Sequence, residues 1–164
     1  MTTNTNKLTL TTEGDRYVIV ERRFSAAPAD VYDAHMDPEL LREWLLGPEG
    51  WTMPVCVHEG RVGGKIRYEW SDGKGGGFSL TGEILALEPP HRIVHVERMH
   101  LPDPTPDNHV ETRFEPDGEG GTRMVMRMTL PDAATRTAML ATGMDQGMEA
   151  SYARLEAQRG WTHG

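Results

Sequence analysis

Cysteine is almost absent from this sequence. Cys56 is the single cysteine among 164 residues, which excludes an internal disulfide and any metal site built from several cysteines. No run of about 18 apolar residues occurs, so we expect no membrane insertion. Residues 1–12 carry one lysine and no apolar segment, so we expect no secretory signal. Together with the lone cysteine, these features favour a cytoplasmic protein.

Positive charge is also scarce. The chain has 17 Lys and Arg residues against 25 Asp and Glu residues, which gives a net charge of -8. An acidic surface repels phosphate backbones, so we expect no nucleic-acid partner. The length fits one domain, which at this size can bury a sufficient core without a disulfide or metal.

Motifs for catalysis and for cofactor binding are missing. The segment around Ser79 lacks the glycine spacing of a nucleophile elbow, and residues 73–77 are not followed by the Lys and Ser or Thr of a phosphate-binding loop. Two H-x-E segments, at 95–97 and 109–111, match half of a zinc deaminase signature, whose other half needs two cysteines. We therefore predict no catalytic set, no metal and no cofactor. We also expect Cys56 to be inert.

The first part of the chain predicts a strand followed by two short helices. Residues 1–14 are polar, so we expect a flexible leader there and a single domain over residues 15–160. The β-branched and aromatic residues of 16–24 predict a strand. Pro28 and Pro38 each suit the first turn of a helix, and they predict helices over 29–36 and 39–46.

The middle of the chain reads as strands separated by turn residues rich in Gly, Pro and Asp. Alternation is clearest over 123–130, where Met and Leu share one face and Arg and Thr the other. Consecutive hairpins of this kind predict an antiparallel sheet with one buried face. The six predicted strands cover residues 52–59, 64–71, 77–88, 91–100, 108–116 and 121–130.

After residue 131 the apolar period changes to that of a helix. Asp132 can cap a helix over residues 133–158, whose apolar stripe includes Leu140, Met144 and Met148. The order of elements predicts an α+β fold, in which a curved seven-stranded antiparallel sheet wraps around a long C-terminal helix. Two short helices follow the first strand.

The pattern of residues 91–100 does not decide which face of this strand points inward. If Ile93 and Met99 face inward, His95 and Glu97 form a polar pair inside an apolar interior, as a binding pocket requires. If Val94 and Val96 face inward instead, His95 and Glu97 are solvated.

Flexible and small residues suggest a cavity between the sheet and the helix. The chain has ten methionines, whose side chains adapt to ligands of different shape, although a single methionine is more often ordinary core. Gly143 and Gly147 lie four apart on the predicted helix, so they either make room for a ligand or allow a strand to approach closely. The candidate ligand-binding residues are Tyr68, Trp70, His95, Phe114, Met124, Met126, Met128, Gly143, Met144, Gly147 and Met148.

An ordered series of loose motifs spans residues 17–158. The chain resembles the family of homologues of the activator of Hsp90 ATPase, within the START/Bet v 1-like (SRPBCC) superfamily. Position 35 departs from the family, which often carries Trp or another bulky apolar residue there. The motifs are Arg22-x-Phe24-x-Ala26, Val31-Tyr32-x-Ala34, Asp37-Pro38, Trp44, Gly47-Pro48, Gly63-Gly64, Gly82, Pro89-Pro90-x-Arg92, Gly143-Met144-x-x-Gly147 and Tyr152-x-x-Leu155.

The resemblance implies a helix-grip fold and several kinds of function. Members of the superfamily bind hydrophobic small molecules, cyclise or dehydrate polyketides, or assist a chaperone. We expect non-catalytic binding of a hydrophobic small molecule between the sheet and the C-terminal helix. The alternatives are a cyclase or dehydratase-type enzyme and a chaperone-activating module with a role in stress response. A homodimer is left open.

Overall fold

Every predicted strand forms in the computed structural model, which describes residues 6–101 and 103–161. The sequence predicted these strands to within two residues at each end. The strands are β1 (Thr9–Glu13), β2 (Tyr17–Phe24), β3 (Thr52–His58), β4 (Lys65–Ser71), β5 (Gly77–Glu88), β6 (Arg92–His100), β7 (Asn108–Pro116) and β8 (Thr122–Thr129), of which β1 alone was not predicted.

The strands form one antiparallel sheet in the order β1-β2-β8-β7-β6-β5-β4-β3. Strands β3 to β8 follow one another as hairpins, and β2 pairs with β8 along its whole length. The turn glycines supply the left-handed backbone that tight hairpins need, as Gly73 does with φ of 75° between β4 and β5.

The sheet has eight strands rather than the predicted seven. The additional strand, β1, pairs with β2 from Thr9 opposite Glu21 to Glu13 opposite Tyr17. It lies within residues 1–14, so the prediction of a flexible leader is wrong for residues 9–13. The prediction for residues 1–5 falls outside the described residues.

The predicted long C-terminal helix is two helices. The helices are α1 (Pro28–Ala34), α2 (Pro38–Trp44), α3 (Ala133–Leu140) and α4 (Met144–Arg159). Asp132 caps α3 as predicted, because its side chain accepts a hydrogen bond from Thr135 N–H. Gly143 separates α3 from α4 with φ of 74°, a left-handed conformation that no continuous helix contains. Gly143 is therefore a cap, and its expected place inside one helix is wrong.

Two apolar clusters fill the space between the sheet and the helices. The first is rich in aromatic residues and includes Phe24, Trp44, Phe114 and Tyr152. The second consists of aliphatic and methionine side chains, namely Val18, Val20, Val110, Met126, Met128 and Leu130, with Met144 and Met148 packed against it. The sheet thus holds the C-terminal helix against its inner face, which confirms the helix-grip architecture. None of the described helices has the length and apolarity needed to cross a membrane.

Candidate functional site

The register of β6 decides which of its faces points inward. His95 lies opposite Ile84 and Val110, which are both 1% exposed. Since paired residues share a face, His95 points into the interior together with Glu97 two residues later. His95 Nε2 donates a hydrogen bond of 2.6 Å to Glu97 Oε1, and the two side chains are 18% and 22% exposed. The polar pair therefore lies on the apolar inner face of the sheet and keeps some contact with solvent.

A second histidine reaches this interior from the end of α1. The ring of His35 lies 5.1 Å from the rings of both Trp44 and Phe114. Its Nδ1 donates a hydrogen bond of 2.7 Å to the carbonyl oxygen of Val31. Its Nε2 is buried and has no hydrogen-bond partner among residues 6–101 and 103–161.

A third histidine, His58, comes from β3. Its Nδ1 is also buried without a partner. The three imidazoles lie close enough to influence one another. Burial first, and then the charges of His58 and His95, lower the pKa of His35 to about 4. Burial and the charge of His95 lower the pKa of His58. Both rings are therefore neutral at pH 7.

We call His35, His58, His95 and Glu97 the histidine cluster. Two more buried polar atoms without partners accompany it. Tyr32 packs on Phe114 at 5.6 Å between ring centroids, and its hydroxyl has no partner. Asn108 pairs with Glu97 across the strands, and its Oδ1 has none.

A different polar cluster also borders Tyr152, whose ring centroid is 5.9 Å from the Arg22 guanidinium. The guanidinium of Arg22 is 0% exposed and lies 2.9 Å from a carboxylate oxygen of Glu149 and 2.9 Å from one of Glu156. Asn6 Nδ2 donates to Glu156, and the backbone N–H of Leu8 donates to Glu149. We call Arg22, Glu149 and Glu156 the arginine cluster. Burial opposes the charge of Arg22, but the two carboxylates outweigh burial and raise its pKa.

The predicted site residues divide between the two apolar clusters. Tyr68 and Phe114 are buried in the aromatic one, as is Met124, and Trp70 packs against it. Burial, followed by the charges of Cys56 and Glu97, raises the pKa of Tyr68, which indicates that Tyr68 and Glu97 are neighbours. These residues lie on the same side of the molecule as His95.

The methionines and the helix glycines have other surroundings. Met126, Met128 and Met144 pack in the aliphatic cluster, and Met148 contacts both clusters. Gly143 is exposed at the break between α3 and α4, so the expectation that it borders the interior is wrong. A Cβ atom on Gly147 would meet Pro48 Cδ at 3.9 Å. Among the described residues, no strand backbone comes within 4 Å of that position, so close packing against the sheet does not explain Gly147.

Sequence reasoning missed several of the polar residues in the interior. His35 was noted as a departure from the family but not placed in the site, and His58 was not placed there either. A signal for Arg22 was present, since it follows Val18 and Val20 at the inward positions of β2.

For Cys56, burial outweighs the charge of Arg42 and raises the thiol pKa. The thiol is therefore protonated, and Sγ lies 3.5 Å from the carbonyl oxygen of Pro38.

An open groove lies outside the interior, beside the start of α4. It has a volume of about 440 Å³ and is lined by Lys7, Leu8, Asp145, Gln146, Glu149 and Ala150.

Among the described residues, no three His, Cys, Asp or Glu side chains are arranged to hold a metal ion.

A family model matches residues 25–158, most of the chain, and carries the description "Activator of Hsp90 ATPase homolog 1-like protein". The chain belongs to this family. The family is part of the SRPBCC/Bet v 1-like superfamily, so the resemblance seen in the sequence is confirmed. No match is found among curated proteins.

Solved structures of bacterial proteins share the fold of this family member. A protein from Rhodobacter sphaeroides is 31% identical, with a TM-score of 0.86 over 94% of this chain and 99% of that one. A protein from Mycobacterium smegmatis is 22% identical, with a TM-score of 0.83 over 96% of this chain and 99% of that one. A protein from Chromobacterium violaceum is 25% identical, with a TM-score of 0.72 over 87% of this chain and 96% of that one.

Proposed function

We propose that this protein binds a small, largely apolar molecule between the sheet and the helices, beside the histidine cluster. The observation that carries the proposal is the set of buried polar atoms that find no partner in the described part of the chain: Tyr32 Oη, His35 Nε2, His58 Nδ1 and Asn108 Oδ1. Each such atom costs about 1–3 kcal/mol if it stays unsatisfied. A fold retains several of them together where a ligand or water supplies the missing partner.

The side chains around these atoms support an apolar ligand. The aromatic rings of Trp44, Phe114 and Tyr152 lie within about 6 Å of the His35 ring. A site with mainly aromatic walls and a few convergent polar groups is the usual form of a small-molecule pocket. Tyr68, Trp70, Phe114 and His95 belong to the proposed site. Met124 and Met148 lie at its border with the aliphatic cluster.

Dye binding tests this proposal. An environment-sensitive hydrophobic dye should bind the native protein and be displaced by a flat polycyclic compound such as 2-naphthol. The variant Phe114→Ala should weaken dye binding, whereas Val62→Ala, on an exposed residue, should not. If the native protein binds neither the dye nor the polycyclic compound, the proposal is contradicted.

The His95–Glu97 pair supports a second candidate, an enzyme of the cyclase or dehydratase type. A carboxylate that accepts a hydrogen bond from one imidazole nitrogen leaves the other nitrogen free to take a proton from a substrate. The test is deuterium exchange at the carbon beside the carbonyl of 2-tetralone, followed by NMR. An enzyme would speed this exchange and Glu97→Gln would slow it. Exchange at the rate of buffer alone contradicts catalysis.

The functional proposal also concerns partners, a role in stress response and the location of the protein. A chaperone contact and a stress-response role rest on the family description, and a fold by itself does not select a function. A homodimer rests on no observed contact. A cytoplasmic location rests on the free thiol of Cys56, which suits a reducing compartment.

A further inference from the structure

We infer that the ligand is an uncharged molecule whose polar end donates hydrogen bonds to the histidine cluster. The inference rests on the proposed function, and it adds the chemical class of the ligand: a phenol, an alcohol or a neutral N–H compound. It excludes carboxylates such as fatty acids. The argument has three parts, which concern hydrogen-bond polarity, charge and the surrounding walls.

The hydrogen bond of His35 determines what its other nitrogen can do. The carbonyl oxygen of Val31 only accepts, so His35 Nδ1 carries the proton of the neutral ring. Nε2 of that ring is then an acceptor, and it is buried without a donor. A ligand that satisfies Nε2 must supply an O–H or N–H group.

A second unpartnered atom has the same preference. Asn108 Oδ1 is an amide oxygen, which only accepts. His95 uses Nε2 for its hydrogen bond to Glu97. Tyr32 and His58 can take either role. Among these unpartnered atoms, those that can only accept a hydrogen bond therefore outnumber those that can only donate one.

Charge in the interior disfavours an anionic ligand. Glu97 contributes a carboxylate to the histidine cluster. Among the described inward-facing side chains, the arginine is Arg22, and two carboxylates already hold it. The His35 ring stays neutral at pH 7 because burial lowers its pKa. A bound carboxylate would meet a negative group and no unpaired cation, so its desolvation would not be compensated.

The test compares three probes of the same shape on the full chain. The probes are 2-naphthol, which donates a hydrogen bond, 2-methoxynaphthalene, which does not, and 2-naphthoate, which is an anion. Fluorescence titration at pH 7 should show 2-naphthol binding roughly tenfold tighter than the methyl ether, the value of one well-placed hydrogen bond. Binding of 2-naphthoate should be the weakest.

Variants assign the effect to the cluster. His35→Phe should bring the affinity for 2-naphthol down to that for 2-methoxynaphthalene in the same variant. His58→Phe is a second variant on a different element, in case the first does not fold. His109→Phe, at an exposed position on the other face of the sheet, is the matched control and should bind like the wild type.

The outcomes separate this inference from the proposed function. Equal affinity for 2-naphthol and 2-methoxynaphthalene, or tighter binding of 2-naphthoate, overturns the donor inference but leaves a small-molecule site in place. Loss of the preference in His109→Phe as well as in the cluster variants also overturns it. Failure of all three probes and of the hydrophobic dye to bind contradicts the proposed function itself.

Discussion

Two polar clusters border Tyr152 and differ in how completely they are satisfied. The Tyr152 ring centroid is 5.9 Å from the Arg22 guanidinium and 6.0 Å from the His35 ring. In the arginine cluster the guanidinium meets two carboxylates, and each carboxylate accepts a further hydrogen bond from the N-terminal segment. In the histidine cluster, two ring nitrogens have no partner.

The difference separates a structural role from a binding role. The arginine cluster ties β2, α4 and the segment before β1 together, and little of its hydrogen-bonding capacity is left for a ligand. The histidine cluster joins α1, β3 and β6. It keeps unused hydrogen-bonding capacity on its ring nitrogens, in a region where water is scarce. Substitutions should therefore reduce stability at the first cluster and binding at the second.

The largest effect is expected from breaking the arginine cluster. Arg22→Met leaves Glu156, which is 3% exposed, as a buried charge without its counter-ion. Such a change typically costs about 3–5 kcal/mol of unfolding free energy. Urea unfolding measures it. The control is Arg23→Met, which removes the pair between Arg23 and Asp117 where the arginine is 46% exposed, and should cost much less. Equal losses in the two variants would contradict a special role for Arg22.

The next largest effect is expected from acid. The pKa of His35 is lowered in the folded state, to about 4, against about 6.5 in the unfolded chain. The stability contributed by neutral His35 is then complete above pH 6.5 and is lost as the pH falls toward 4. Between pH 7 and pH 4 the wild type should lose on the order of 3 kcal/mol more than His35→Phe. Urea unfolding at several pH values measures the difference, and parallel curves for the two proteins would contradict it.

The sequence predicted the sheet well because its inward positions alternate, as in Met124, Met126 and Met128. It missed β1 because four of the five residues of Thr9–Glu13 are exposed, so no apolar alternation marks the strand. It missed the break at Gly143 because Leu140, Met144 and Met148 continue the apolar spacing of one helix across it.

The site was harder to predict than the fold. The face of β6 was ambiguous because the strand has buried side chains on both faces, as Ile93 and Val96 show. His35 and His58 come from elements that only the folded chain brings near His95. Single-strand patterns contain no information about such contacts.

A smaller effect is expected at Gly147, on the turn of α4 that precedes Glu149. A Cβ atom there would make an ordinary contact with Pro48, and alanine favours a helix over glycine. Gly147→Ala should stabilise the protein by about 0.5–1 kcal/mol in thermal or urea unfolding. It should leave the affinity for 2-naphthol unchanged, because Pro48, the described side chain within 4 Å of such a Cβ atom, is not part of the proposed site. A loss of affinity would place the site nearer α4 than we propose.

The smallest effect on stability is expected at the histidine cluster at pH 7. His35→Phe removes one hydrogen bond, to Val31, and also removes an unsatisfied buried nitrogen. These changes oppose each other, so the unfolding free energy should change by less than about 1 kcal/mol. Urea unfolding at pH 7 checks this, and a loss as large as that of Arg22→Met would show that the cluster is structural.

The most direct test of the account observes both clusters while a ligand binds. Long-range proton–nitrogen NMR of the histidine rings, together with the Arg22 Nε signal, can be recorded during a titration with 2-naphthol. We predict that the Nε2 signal of His35 shifts as it accepts a hydrogen bond, with smaller shifts at His58 and His95, while the Arg22 signal stays in place. Saturable binding that leaves the three histidines unchanged, or that shifts Arg22 instead, would contradict the account.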